Sequence, residues 1–162
     1  MRRAVGLTLL LGLAAASSAA ASPPRLTRCS VTTLTQQGSG QSVFVGACGG
    51  RATSLQVGPG SVTGRLGGLP TTLAGTGTSY AGRIGKVRAS FDMSGGTVTG
   101  RYGGNRLRFE LQGFAVSGKV GSVRVTCSIT ALSPLGEQVV CKGAHGDAQV
   151  LIPLLAKLYT AP

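Results

Sequence analysis

Large apolar residues keep to alternate positions along most of this chain, and short glycine-rich stretches interrupt the alternation. From position 98, Val98, Gly100 and Tyr102 share one parity, while Thr99, Arg101 and Gly103 share the other. Beyond Gly103-Gly104-Asn105, Leu107, Phe109 and Leu111 alternate with Arg106, Arg108 and Glu110. Period two on both sides of a Gly-Gly-Asn break predicts a β-hairpin with one buried face. The next break falls at Gln112-Gly113-Phe114, and Val116 restarts the pattern. Each such unit predicts two strands, and successive units predict an antiparallel meander.

The unit recurs. Gly46, Gly64, Gly82, Gly100 and Gly118 stand 18 residues apart and open the phrases GACGG, GRLGG, GRIGK, GRYGG and GKVGS. Constant spacing over five copies marks a chain built by stacking one supersecondary unit on copies of itself. Overlaying the copies gives three apolar slots. One holds Phe44, Val62, Tyr80, Val98 and Val116; the second holds Cys48, Leu66, Ile84, Tyr102 and Val120. The third holds Leu55, Leu73, Phe91, Phe109 and Cys127. All keep the parity of one buried sheet face. The repeated glycine has that parity too. Glycine weakens a strand, so its recurrence predicts a bend or a close backbone approach in every copy.

A related hairpin, Cys29–Thr35 with Ser42–Cys48, precedes the full units, and Glu137–Lys142 adds a strand after them. The count is about twelve short strands. The expected fold is all-β: an antiparallel up-and-down meander curled into a closed or nearly closed barrel, because closure removes exposed strand edges. An open curved sheet is the first alternative. A β-solenoid ranks below it, since the Gly-rich turns cut each unit into two strands rather than three. An outer-membrane barrel fits poorly. Such strands need about 9–11 residues and aromatic girdles, whereas these strands read as six or seven residues by their alternation and the chain has no Trp.

The ends depart from the pattern. Arg2 and Arg3, the apolar run Val5–Ala15 and the small residues Ala19-Ala20-Ala21 predict a signal peptide over 1–22. The β-repeat domain is then 23–146, and the protein is expected to be exported: periplasmic, cell-surface or secreted, with no transmembrane span after cleavage. Residues 147–162 form an apolar tail, too rich in Leu, Ile and Val for an exposed linker, which is expected to plug or cap the barrel. In an oxidising compartment the four cysteines are read as disulfides. Cys29 and Cys48 lie symmetrically about Gly38-Ser39-Gly40, and Cys127 and Cys141 about Ser133-Pro134-Leu135-Gly136. The expected bonds are therefore 29–48 and 127–141, each across a hairpin.

Charge then narrows the function. Sixteen Lys and Arg stand against four Asp and Glu, which favours polyanionic partners: nucleic acid, anionic wall polymer or anionic headgroups. Arg65, Arg83, Arg101 and Lys119 share one phase of the repeat, and Arg88, Arg106 and Arg124 another. With Arg108 they have outward parity. Like charges so placed repel one another unless an anion is present. Catalysis has little to stand on: no acids pair closely in sequence, His145 and Asp147 lie in a Gly-rich turn, and no phosphate loop or metal-ligand spacing occurs. The reading is a non-enzymatic exported protein, without metal or cofactor, that binds an extended polyanion such as single-stranded nucleic acid or anionic envelope polymer. The alternatives are a structural envelope or interaction protein, and a carrier of an apolar ligand inside the barrel.

Overall fold

A computed structural model of the protein describes residues 27–36, 40–132, 136–143, 151, 154 and 155. The predicted signal peptide, the loop residues 37–39 and 133–135, and His145 and Asp147 lie outside the described residues. The chain forms twelve strands: β1 (Thr27–Gln36), β2 (Gln41–Cys48), β3 (Arg51–Gly58), β4 (Ser61–Leu66), β5 (Leu69–Gly75) and β6 (Ser79–Ile84), then β7 (Val87–Ser94), β8 (Thr97–Tyr102), β9 (Asn105–Gln112), β10 (Ala115–Val120), β11 (Val123–Leu132) and β12 (Gly136–Lys142). Each is antiparallel to the next in chain order, and β1 pairs with β12 to close the barrel. Closure decides against the open sheet, and hairpin connectivity decides against the solenoid. Strand lengths run from 6 to 10 residues, with β1, β2, β3, β7, β9 and β11 longer than the six or seven the alternation suggested.

Two-residue turns set the register. Gly67 and Gly68 have φ of 55° and 80°, the conformation a tight hairpin needs so that its twist matches that of the strands. Gly103-Gly104 is also a two-residue turn, so Asn105 opens β9 opposite Tyr102 instead of sitting in the break. All fifteen residues of the three apolar slots are buried, and Phe91 and Phe109 are 1% and 0% exposed. Full burial of a side chain of that kind contributes about 1.5–3 kcal/mol. Outward positions carry Arg, Lys, Ser and Thr. This is the reverse of a membrane barrel, whose outer band is apolar.

The repeated glycines lie in the middle of β2, β4, β6, β8 and β10. A Cβ added at Gly46, Gly64, Gly82, Gly100 or Gly118 would overlap the backbone carbonyl oxygen of Ser30, Ser54, Thr72, Ser90 or Arg108 on the preceding strand. The close backbone approach predicted from the sequence is present in every copy. Each glycine faces a core residue in register, as Gly100 faces Phe91 and Gly118 faces Phe109.

Both disulfides form as expected, Cys29–Cys48 and Cys127–Cys141, between residues directly opposite in β1–β2 and β11–β12. They flank the closing seam, where Cys29 pairs with Val139 and Thr27 with Cys141. Two disulfides fit an oxidising, exported compartment. In the tail, residues 151, 154 and 155 are helical. Leu151, Leu154 and Leu155 are at most 1% exposed and belong to the same core cluster as the barrel residues. Eight strands already give an interior that side chains just fill. A twelve-stranded barrel encloses more space, and the tail leucines help to occupy it.

Candidate polyanion-binding surface

The mid-strand glycines also position the charges. In β4, β6, β8 and β10 the glycine is followed directly by Arg65, Arg83, Arg101 or Lys119. Core parity passes to the glycine, so the next side chain must point outward. On the returning strand of each hairpin, Arg88, Arg106 and Arg124 stand the same number of residues beyond the turn as Arg83, Arg101 and Lys119 stand before it. Hairpin register then sets them face to face: Arg83 opposite Arg88, Arg101 opposite Arg106, and Lys119 opposite Arg124. All six are exposed. Opposite residues on antiparallel strands have Cα atoms about 4.5–5.5 Å apart, close enough for like charges to destabilise the pair.

Arg108 extends the last pair. It is opposite Lys119 on β10, so Arg108, Lys119 and Arg124 form a line across β9, β10 and β11. Glu110 lies 3.7 Å from Arg108, with both side chains more than half exposed; such a pair contributes little. Arg65 stands apart. Its register partners are Ser54 and Pro70, and the corresponding outward position of β5 carries no cation. The sequence phases therefore contain two kinds of cation: seven gathered over β6–β11, and Arg65 two strands away.

Three shallow depressions follow one another over β6–β11. Arg83, Arg88, Ser90 and Arg101 line the first, beside Gly82. Ser90, Arg101, Arg106, Arg108 and Lys119 line the second, beside Gly100, with Asp92 and Thr99 also on its wall. Arg108, Lys119 and Arg124 line the third, beside Gly118, together with Glu110 and Ser117. Neighbouring depressions share residues: Ser90 and Arg101 join the first to the second, and Arg108 and Lys119 join the second to the third. Asp92 accepts a hydrogen bond of 2.6 Å from Ser79 Oγ, which partly engages the one carboxylate on the middle wall.

Aromatic rings are kept out of this surface. Tyr80, Tyr102, Phe91 and Phe109 are buried, and burial pushes the Tyr80 phenol above its ordinary pKa, so it stays neutral within the core. No protein-family model, curated protein or solved structure matches this chain. Among the described residues, no three His, Cys, Asp or Glu gather as a metal site would require. Parity along the sequence marked eight cations as outward; it missed the exposed Arg28, Arg51, Lys86 and Lys142 and the pairing across hairpins. The signal was present in the symmetry of Arg83 and Arg88 about Gly85-Lys86, of Arg101 and Arg106 about Gly103-Gly104, and of Lys119 and Arg124 about Gly121-Ser122.

Proposed function

We propose that this protein is an exported, non-enzymatic binding protein that engages an extended polyanion through the paired cations of its outer wall. One observation carries the reading: three consecutive hairpins set cation against cation, a placement unfavourable to the free barrel and favourable only with an anion between or above the pairs. Arginine supplies most of the charge, and its planar fork suits phosphate oxygens. Single-stranded nucleic acid is accordingly the first ligand of this class to test, ahead of anionic envelope polymer. The apolar slots and the tail leucines pack the interior, so the reading rests on the outer face.

The test is a low-salt binding comparison of single-stranded DNA, duplex DNA and anionic wall polymer. Single-stranded DNA should bind most tightly, with log K falling linearly against log salt concentration. The double variant Arg83→Ser/Arg101→Ser should lose at least tenfold in affinity while keeping the wild-type circular dichroism spectrum. Salt-insensitive binding, or none at low salt, would remove the proposal.

A further inference from the structure

Charge in this barrel is sorted by end. Every described Lys and Arg except Arg108 lies at, or one register pair from, the end where β2, β4, β6, β8 and β10 turn back into the next strand and where β1 begins and β12 ends. Beyond the pairs already named, these are Arg65 one pair from the β4–β5 turn, Arg51 opposite Cys48, Arg28 and Lys142 near the termini of β1 and β12, and Lys86 in a turn. The described acids, Asp92, Glu110 and Glu137, all lie in the half of their strands nearer the opposite end, as does the exposed ring of Phe114. The cations thus make a belt around one end of the barrel, densest over β6–β11, and the three linked depressions run along that belt from strand to strand.

Resting on the polyanion reading above, we infer that the ligand is a single-stranded phosphodiester chain lying across the strands of β6–β11, around the basic end, and held by its phosphates without regard to base. A chain laid along one strand would leave the basic half and meet Asp92 or Glu110. A chain laid across the strands stays over the cations and passes those two acids only at the walls of the second and third depressions. Five strand spacings of 4.7–4.9 Å give an arc of about 24 Å at the backbone. Extended phosphates are about 6–7 Å apart, so the arc holds four or five of them. Base-reading would need stacking surfaces, and the nearby rings are buried while Phe114 is at the far end. Arg51 and Arg65, on β3 and β4, lie outside the arc.

The experiment measures fluorescence anisotropy of labelled oligothymidylates of two to twelve nucleotides on the mature, disulfide-bonded protein at low salt, beside an abasic sugar-phosphate oligomer. Affinity should rise up to about five nucleotides and then change only by the statistical gain of extra registers. The abasic chain should bind within about twofold of its thymidylate equivalent, and the salt slope should be about −3 to −3.5. Arg101→Ser/Arg106→Ser should weaken binding at least tenfold, whereas Arg51→Ser/Arg65→Ser should change it less than twofold. Equal losses from the two double variants would overturn the footprint, as would affinity that climbs steadily to twelve nucleotides. Failure of the abasic chain alone would overturn phosphate-only recognition. If no chain of any length binds, the polyanion reading itself is wrong.

Discussion

At Gly100 an added methyl group would occupy the place of the Ser90 carbonyl oxygen and crowd the Phe91 Cα. Neither neighbour can yield, because both belong to the backbone of a paired strand. Gly100→Ala should therefore destabilise the barrel by about 2–4 kcal/mol, as forced overlap in packed regions does. Gly104 is the control. It has open space around it and lies outside the left-handed region, so Gly104→Ala should cost less than about 1 kcal/mol. Urea denaturation of both variants decides the point, and equal losses would show that the repeated glycines serve flexibility instead of space. The recurrence of the glycine was visible as an 18-residue period. The carbonyl that excludes a side chain was not, because it comes from the preceding strand and depends on register.

Among the elements, the hairpins at the seam are the exposed joint of the meander. β1 and β12 come from opposite ends of the repeat array, so their pairing closes the longest loop and receives no help from a turn. Each partner is stapled on its other side, β1 to β2 and β12 to β11. The bonds span 19 and 14 residues, for which the chain-entropy model gives on the order of 3 kcal/mol each. Cys127→Ala/Cys141→Ala should lower the unfolding free energy by about that amount. Amide exchange should then quicken first in β11, β12 and β1, before β6–β8. Uniform quickening would mean that closure does not depend on the staples. Hairpin symmetry made both pairings readable from the sequence, because a turn and two equal arms determine which residues meet.

For the whole molecule, Leu151, Leu154 and Leu155 of the tail share one core with the barrel. Leu154 is 1% exposed within the same cluster as Phe91 and Phe109. Leu154→Ala should destabilise the protein by about 2–5 kcal/mol, the usual result of emptying a packed site that relaxes only partly. Thermal unfolding should move as one transition, since the described tail leucines belong to the barrel core. A variant that loses the tail signal while keeping the barrel midpoint would contradict this. The belt of charge is a property of the same scale: no single hairpin has a basic end until all the hairpins are aligned side by side.

Local rules acting within one hairpin were enough for much of this protein. Alternation set which residues are buried and the outward parity of Arg83, Arg88, Arg101, Arg106, Arg108, Lys119 and Arg124; two-residue glycine turns set the register within the repeat; and symmetry about the first and last hairpin loops set the disulfides. What needed the tertiary structure was everything joining residues far apart in the chain. The pairing of β1 with β12 depends on accumulated curvature, which alternation does not encode. The burial of Leu151, Leu154 and Leu155 depends on the space a twelve-stranded barrel encloses. The separation of Arg65 from the other cations follows from Pro70, which occupies the place that Arg88 takes in the next unit and leaves Arg65 without a charged partner. The sorting of charge by end emerges only when every turn of one kind lies on one side, because a barrel converts a position within the repeat into a height along its axis.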